Sequence, residues 1–413
     1  MDFEATAGSI VPLAQAMASP ASKFQTVKVQ GTGAIKTDFA LPYDGAELRG
    51  QELESQCDQW AEVGTMEPDC AAALKAGARK LGELKGRTFL ILGAGSELGP
   101  ARPLLEAGAT VVAVATRRSQ RWADLIAFAR GTAGTLLIPV AGQAGQAWQV
   151  PGSDEELAKS AGADLLAEAP AVSEWLVRCG RVAPGLVTLG TYLYADGEAN
   201  MRLTAAADFV VEALAKALGN QKVSFAYLAS SSTAVVIPPE AVQAQADNYA
   251  QANNWAKLCG TRRNCAPLEG SSVPLHIYRG IEVLQGPNYA LSQSMRQWRA
   301  VLLHMEGFVV SAPVAPNCRT ESVLHNKTMA VILEGVGYWA PMESFDADTA
   351  RMAMYAILIS DLSEKPPQLA SPMHLFARKS FHSGGWRCPF ELSSLGMTTW
   401  VLGKLAPRKR PKH

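Results

Sequence analysis

A glycine-rich turn between two apolar runs is the first feature of this sequence that could do chemistry. The run Phe89 to Leu92 ends at the turn, and a helical pattern starting near Gly99 leads to a second run, Val111 to Val114. Strand, turn, helix and strand in this order form a unit that binds dinucleotides, because its backbone N–H groups and the positive end of the helix face a pyrophosphate. A glycine-rich turn of another α/β protein is the alternative interpretation. We predict that the cofactor contacts are Gly93, Gly95, Ser96, Glu97, Leu98 and Gly99.

Two arginines, Arg117 and Arg118, follow the second apolar run. NAD-binding units usually carry an Asp or Glu at this point, where it accepts hydrogen bonds from the ribose hydroxyls. Guanidinium groups pair well with a 2′-phosphate, so the sequence favours NADP(H) over NAD(H) as the cofactor. A solvated basic turn is the alternative interpretation.

Strands and helices alternate from Arg87 onward, which predicts an α/β fold: a doubly wound parallel sheet of the Rossmann type, with helices on both faces. The expected strands are 88–92, 110–115, 135–140, 185–193, 223–230 and 307–312. The expected helices are 99–107, 119–130, 154–179, 198–218 and 289–306.

Three regions are predicted along the chain. Residues 1–84 form an N-terminal extension, loose over 1–36 and helical within 45–84. Residues 85–327 form the Rossmann-type catalytic domain, with a surface loop at 141–152 and a long insert at 233–288 that contains a polar helical piece (240–258). Residues 328–413 form a C-terminal extension with a helix near 347–362. Long segments of this kind are often functional, so we expect the extension to form the substrate pocket or a lid. Its loop 381–387 is either part of that lid or a packed turn.

Hydroxyl groups follow the expected fifth strand, at Ser230, Ser231, Ser232 and Thr233. Ligands of doubly wound sheets bind beyond the carboxyl ends of the strands, so these hydroxyls are expected to face the nicotinamide. Further along, Gly286 to Gln293 opens a helix with Tyr289 near its start, and the segment Pro316 to Thr320 follows the expected sixth strand.

Over residues 87–322 the chain resembles the short-chain dehydrogenase/reductase superfamily, in the glycine turn, the serines after the fifth strand, the tyrosine opening the next helix and the Pro316–Thr320 segment. The resemblance implies that Ser230 or Ser231 polarises a substrate carbonyl and that Tyr289 gives or takes the proton on its oxygen. It also implies that Thr320 contacts the cofactor and that Asn200 holds a proton-relay water. Family members are commonly dimers or tetramers, so it further implies a homo-oligomer.

The chain departs from the family pattern at the lysine four residues past the tyrosine, which is Gln293 here. Glutamine can hydrogen-bond the ribose but cannot supply the positive charge that lowers the pKa of a tyrosine. Arg296, two helical turns from Tyr289 and on the same face, could supply that charge. The spacing is similar to the Tyr-x6-Lys of the family's enoyl-reductase branch. Glu97 and Asn317 stand where the family has glycines.

A second tyrosine, Tyr249, lies at about the usual distance after the serines, with Asn253 four residues later and Lys257 eight residues later. We favour Tyr289 as the acid/base residue because it alone directly precedes a helix and the expected sixth strand. An amphipathic tyrosine packed at a helix end is the non-catalytic interpretation of either residue.

Composition excludes other classes of protein. Lys+Arg and Asp+Glu both number 38, so no net charge steers nucleic acid or an anionic membrane toward the chain, and the basic residues 408–413 are expected to be solvated. The seven cysteines are dispersed without zinc spacing, which predicts reduced thiols and no metal site. No apolar run is long enough to span a membrane, and no secretory signal is evident. We expect a cytoplasmic protein, with organelle targeting left open.

Together these features predict an NADP(H)-dependent oxidoreductase that moves hydride to or from a carbonyl/alcohol pair, or an activated double bond, of a small and largely apolar substrate. Two alternatives remain. The missing lysine is compatible with a non-catalytic NADP(H)-binding sensor or assembly subunit, and an isomerase or dehydratase could use a tightly held nicotinamide.

Overall fold

The computed structural model describes residues 2–6, 9–18, 22–142, 150–231, 233–260, 264–280 and 286–405. Most of the loop expected at 141–152 lies outside these residues, as do Ser232 and the basic residues 408–413.

Strands β1 to β18 of the described residues are, in chain order, Asp2–Thr6, Ser9–Pro12, Phe24–Gln30, Leu41–Tyr43, Ala46–Leu48, Thr88–Leu92, Thr110–Val114, Thr135–Ala141, Val187–Thr191, Val223–Tyr227, Ala229–Ser230, Val235–Ile237, Cys265–Pro267, His276–Tyr278, Val310–Ser311, Val314–Ala315, Cys318–Arg319 and Phe345–Asp346.

Helices α1 to α15 of the same residues are, in chain order, Leu13–Ala18, Gly50–Val63, Pro68–Ala78, Ala101–Glu106, Ser119–Arg130, Asp154–Ser160, Leu165–Val182, Gly197–Leu218, Pro239–Gln251, Asn254–Cys259, Pro287–Met305, Glu321–His325, Lys327–Gly335, Ala347–Leu362 and Leu392–Leu405. Short 3₁₀ turns cover Leu81–Leu84, Val336–Tyr338, Pro372–Ala377 and Gly385–Arg387.

The chain divides into two compact units, each assembled from three separate segments. The first comprises Met1–Asp38, Lys80–Tyr227 and Trp298–Val310, and the second comprises Phe39–Arg79, Leu228–Gln297 and Ser311–His413. The three regions expected from the sequence (1–84, 85–327 and 328–413) remain a prediction about domains.

The first unit contains a sheet of seven strands in the order β15-β10-β9-β6-β7-β8-β3. Strands β10, β9, β6, β7 and β8 pair in parallel, and β3 pairs antiparallel with β8 at the edge. Successive strands move outward from β6 in one direction and restart on its other side at β9, which is the order of doubly wound dinucleotide-binding sheets. The predicted fold class, an α/β Rossmann-type fold with extensions, is confirmed.

The central strands consist of continuous apolar runs because helices cover both faces of the sheet. Every residue of β6, β9 and β10 is buried. Inside the pair β9–β10 the hydroxyls of Thr188 and Ser224 lie 2.9 Å apart, so two polar side chains satisfy each other within the core. This packing fixes the carboxyl end of β6, from which the glycine turn leaves.

The expectation of a loose lead-in over residues 1–36 is wrong. Strand β3, with the sequence FQTVKVQ, pairs along its whole length with β8. Phe24 and Val29 are buried while most of the other side chains are exposed, which is typical of an edge strand. The pattern was missed because only two of the seven side chains are buried, and these two point to opposite faces of the strand.

Several element boundaries also differ from the expected ones, and three of the differences are larger or have a physical cause. The helix expected at 154–179 is two helices, α6 and α7, and the sixth strand is reduced to Val310–Ser311. The helix after the glycine turn starts at Ala101 rather than near Gly99, because Pro100 takes the position that precedes the first helical residue. Helices α5 and α14 have the predicted ends.

The second unit combines helices with short two- and three-stranded sheets. Helices α3 and α14 pack closely, since Gly77 leaves no room for a side chain against the carbonyl of Ala356. Aromatic rings fill the adjacent core, with Trp60 at 5.5 Å from Phe345 and 5.3 Å from Phe381 between ring centroids. Residues 381–386 are buried, so this segment is the packed turn that was one of its two interpretations.

Candidate functional site

Gly93 starts the glycine turn of the first unit in a conformation that requires glycine. Its φ is +85°, and a Cβ built on it would lie 2.5 Å from the carbonyl oxygen of Tyr192, at the end of β9. The N–H groups of Gly93 and Ala94 both donate to the carbonyl of Val114, at 2.9 and 3.1 Å. The fold itself therefore requires glycine at position 93, because its backbone follows β6, hydrogen-bonds the end of β7 and lies against the residue after β9.

Gly95 is different, because nothing in the fold explains why this residue is a glycine. It is exposed, it has no positive φ, and a Cβ built on it would meet no atom within 4 Å. Neighbouring N–H groups are used internally, with Ser96 donating to Gly93 and Gly99 donating to Ser96. The open space above Gly95 is therefore the place where a ligand could approach the backbone of the turn.

Of the two arginines predicted to bind a 2′-phosphate, Arg117 already has an anionic partner. An Nη atom of Arg117 lies 2.7 Å from the carboxylate of Glu168, which also pairs with Lys23. Burial raises the pKa of Glu168, but hydrogen bonds from Arg117 and Lys23 outweigh it and lower the pKa overall. Arg118 is exposed at the start of α5. Of the two arginines, Arg118 would therefore be the better ligand for a phosphate group.

Glu168 was not anticipated from the sequence, because it reaches Arg117 from an irregular part of α7. Its backbone is non-helical (φ −130°, ψ 18°), and Pro170 follows inside the helix. Its second carboxylate oxygen accepts the N–H of Asp164 at 2.7 Å. Pro170 was the available signal for a break in the helix.

Asn200 lies in the first turn of α8 in the first unit and is buried. Its Oδ1 accepts the N–H of Ala195 at 3.2 Å, while its Nδ2 meets no acceptor among the described residues. An unsatisfied buried donor is compatible with the predicted role of holding a water.

Tyr289, Ser230 and Gln293 are brought together in the second unit. The Nε2 of Gln293 donates to the Oη of Tyr289 at 3.1 Å, one turn away on α11. The hydroxyls of Tyr289 and Ser230 are hydrogen-bonded, and Arg296 is close enough for its charge to act on the phenol. Four of the predicted site residues therefore lie together, and we call them the tyrosine cluster: Ser230, Tyr289, Gln293 and Arg296.

Burial decides the ionisation of Tyr289. Its ring is partly exposed but its hydroxyl is buried, and this burial raises the pKa above its usual value. Hydrogen bonds from Ser230 and Gln293 and the charge of Arg296 act in the opposite direction without overcoming burial, and Cys318 adds to the rise. The phenol is therefore protonated at neutral pH.

Gln293, a member of the tyrosine cluster, has one side-chain atom without a hydrogen-bond partner among the described residues. The residue is 3% exposed, and no donor among the described residues reaches its Oε1. A buried acceptor without a partner is costly in free energy, so a ligand or water that donates a hydrogen bond at this point would be stabilised.

Contacts that were not anticipated hold the serines of the second unit in place. Gln297, one turn beyond Gln293, donates to the Oγ1 of Thr233 at 3.2 Å, and Thr233 donates to the carbonyl of Ser230 at 2.8 Å. The hydroxyl of Ser231 donates to the Oδ1 of Asn317 at 2.5 Å. The spacing of Gln297 from Tyr289, two helical turns, was the one available signal.

Asn317 links Ser231 to a distant part of the sequence. Its N–H donates to the Oγ of Ser383 at 2.7 Å, and Ser383 is fully buried with φ of +57°. Sequence patterns give no indication of this contact, since 66 residues separate the partners.

Two other predicted residues have structural contacts of their own. Thr320 precedes the first residue of α12, and its Oγ1 accepts the N–H of Val323 at 3.4 Å. Tyr249 packs at a ring distance of 5.8 Å from Phe390, and the ammonium group of Lys257 lies 5.4 Å from its ring centroid. These contacts match the interpretation of Tyr249 as a packed helix-end tyrosine.

Within the described residues, no group of three or more His, Cys, Asp or Glu side chains could hold a metal ion. In the same part of the chain, no helix has the length and apolar character needed to cross a membrane.

Comparison with solved structures finds several similar chains, and two of them follow. The RhlG/NADP active-site complex of Pseudomonas aeruginosa is 16% identical, with a TM-score of 0.38, over 68% of this chain and 91% of that one. A 3-oxoacyl-[acyl-carrier protein] reductase from Brucella melitensis ATCC 23457 is 12% identical, with a TM-score of 0.37, over 74% and 92%. At these values the likeness supports no statement about function. No family model matches the chain, and no curated protein does.

Proposed function

We propose that this protein is an NADP(H)-dependent oxidoreductase that reduces a carbonyl group of a small, largely apolar molecule. The observation that carries the proposal is the open backbone at Gly95, on a turn that leaves the carboxyl end of β6 beside β9. This is the point where the strand order reverses, and ligands of doubly wound sheets bind at such points.

The residues of the first unit fit a dinucleotide. The turn leaves space for a diphosphate at Gly95, and exposed Arg118 supplies a charge for a 2′-phosphate. A bound nicotinamide would supply or accept hydride. The proposal of NADP(H) over NAD(H) rests on Arg118 more than on Arg117, whose charge is partly compensated by Glu168.

The residues of the tyrosine cluster would act on the substrate oxygen. Gln293 donates to the phenol oxygen of Tyr289, and the hydroxyl of Ser230 is hydrogen-bonded to the same phenol. A substrate carbonyl placed between the two hydroxyls would receive hydrogen bonds from both. Because burial keeps Tyr289 protonated, the phenol can donate its proton to the more basic alkoxide that forms during reduction. This protonation state is the reason for proposing reduction as the favoured direction.

The test is a turnover assay of the full chain with NADPH and a panel of aldehydes and ketones. Consumption of NADPH with formation of the matching alcohol is expected. NADPH binding without turnover across the panel would contradict the proposal. Product formation without net consumption of cofactor would instead identify an isomerase or dehydratase.

One observation favours a second candidate, a non-catalytic NADP(H)-binding sensor or assembly subunit. Gln293 supplies no charge, and the pKa of Tyr289 is raised despite Arg296. A tyrosine that stays protonated at neutral pH, with no cation beside it from Gln293, suits a protein that senses the nucleotide without reacting. The same assay separates the two candidates, since the sensor binds NADPH and leaves every carbonyl compound unchanged.

A further inference from the structure

Helix α15 of the second unit is as apolar on its outer face as on its inner face. Its inner face packs against α13, where Gly403 lies so close to the carbonyl of Val331 that a side chain would not fit. On the outer face Met397 is 76% exposed and Leu405 78% exposed, with Trp400 and Val401 also exposed between them. A surface helix normally has a polar outer face, so an apolar outer face indicates an interaction surface for an apolar partner.

Helix α10 extends the same apolar surface. Trp339 connects the two helices, because its indole N–H donates to Thr399 of α15 at 2.8 Å and its ring stacks on that of Trp255 at 5.6 Å. Trp255 is itself half exposed, and Leu258 on the same helix is 79% exposed. We call this surface the α10–α15 face; it comprises Trp255, Leu258, Met397, Trp400, Val401 and Leu405.

Basic residues occur at the end of α15 and after it in the sequence, although the whole chain has a net charge of zero. Lys404 lies on the outer side of α15, with its ammonium group 5.7 Å from the ring centroid of Trp400. The sequence that follows the helix adds Arg408, Lys409, Arg410 and Lys412, with no acidic residue among residues 404–412.

We propose that the α10–α15 face docks the protein on an anionic lipid bilayer. Tryptophan rings with lysine beside them suit the boundary between headgroups and acyl chains, and Met, Val and Leu side chains suit shallow insertion below it. Shallow insertion of the apolar face alone would give marginal binding. Lys404 and the basic residues that follow α15 in the sequence would add attraction to anionic headgroups. No helix of the described residues is suited to cross the bilayer, so the protein would lie on its surface.

Cosedimentation of the full chain with vesicles tests this docking. Binding is expected to vesicles that mix phosphatidylcholine and phosphatidylserine, to weaken in high salt, and to be much lower for phosphatidylcholine alone. The triple variant Arg408→Glu/Lys409→Glu/Arg410→Glu should bind on the order of a hundredfold more weakly, since each basic residue near the surface contributes about fivefold. The triple variant Met397→Ser/Val401→Ser/Leu405→Ser should bind at least about tenfold more weakly, because its side chains no longer insert into the bilayer.

Matched controls use exposed residues of the first unit. Lys28→Glu/Lys85→Glu/Arg121→Glu carries the same net charge as the charge-reversed variant, and Val182→Ser removes an apolar side chain that is 80% exposed. Both should bind like the unmodified protein. Absence of binding to anionic vesicles, or equal losses in the controls, would overturn the proposal. Self-association that the α15 variant abolishes, without vesicle binding, would overturn it in favour of a second copy of the chain.

Discussion

The glycine turn and the tyrosine cluster are built in opposite ways. The turn is a single run of sequence, residues 93–99, whose geometry depends on backbone hydrogen bonds and on one positive φ. The tyrosine cluster depends on side chains, and its supporting contacts come from Thr233, Gln297, Asn317 and Ser383. A site of the first kind is visible in sequence as a motif, whereas a site of the second kind is visible only in part.

This difference has a consequence for substitution. A backbone site tolerates changes of side chain wherever the backbone is preserved, but it is sensitive to any added Cβ that meets the ligand. A site built from a side-chain network loses function when one hydroxyl or amide is removed, even if the fold survives. The following predictions separate these two behaviours.

The largest effect is expected for Tyr289→Phe, which removes one hydroxyl from the tyrosine cluster. If this phenol is the proton donor, kcat should fall about 100- to 10,000-fold while NADPH affinity changes little. Steady-state turnover and calorimetry measure the two quantities. Tyr249→Phe is the matched control and should keep its activity, because Tyr249 packs against Phe390. Equal losses in both variants would contradict the assignment of Tyr289.

Acidification is expected to destabilise the protein through the buried ionisable groups of the second unit. Glu67 accepts a hydrogen bond from Arg387 at 2.6 Å and lies 3.1 Å from the Nε2 of His382. Burial raises the pKa of Glu67, but these partners lower it to about 2 from an ordinary value of 4.5. The folded state thus prefers the carboxylate of Glu67. Above pH 4.5 this preference contributes about 3 kcal/mol to the free energy of unfolding, and the contribution is lost as the pH falls toward 2.

His382 adds an earlier loss of stability on acidification. Burial lowers its pKa below 6.5, so the unfolded chain takes up this proton first and stability already decreases as the pH falls below that value. Denaturant unfolding of the full chain as a function of pH measures both effects. In Glu67→Gln the free energy of unfolding should depend less on pH between pH 4.5 and 2. A pH dependence equal to that of the unmodified protein would contradict the role of Glu67.

Gly95→Val is expected to separate ligand binding from folding. The new side chain enters open space, so the free energy of unfolding should change little, while NADPH affinity should fall about tenfold or more from the clash with the ligand. Gly93→Ala is the contrasting variant. Its positive φ and the nearby carbonyl of Tyr192 should cost about 2 kcal/mol or more of stability. Unchanged NADPH affinity in Gly95→Val would exclude the turn as the binding site.

The smallest effect concerns the choice of cofactor. Glu168→Gln removes the negative charge that pairs with Arg117, so NADPH affinity should rise about two- to fivefold relative to NADH. Competitive titration with the two cofactors measures the ratio. Asp154→Asn, which removes the exposed partner of Arg130, is the control and should leave the ratio unchanged. A lower NADPH preference in Glu168→Gln would contradict the proposal that the carboxylate of Glu168 partly neutralises the charge of Arg117.

The alternation of strands and helices predicted the sheet because the central strands β6, β9 and β10 are continuous buried runs. Helix α5 buries one apolar face, and α14 is buried along most of its length. Strand β3 was missed because an edge strand shows few buried positions. Ser230, Tyr289 and Gln293 of the tyrosine cluster were predicted from the family resemblance, and Arg296 from its position on the same helical face as Tyr289. Glu168, Asn317 and Ser383 were not, since side-chain contacts across long separations leave no periodic pattern in a single sequence.

The most direct test is isothermal titration of NADPH, NADP⁺ and NADH into the unmodified full-length chain. Binding of one nucleotide per chain is expected, with NADPH tighter than NADH because the guanidinium group of Arg118 would pair with the 2′-phosphate. Absence of binding by all three nucleotides to folded protein would contradict the central claim that the turn at residues 93–99 holds a dinucleotide.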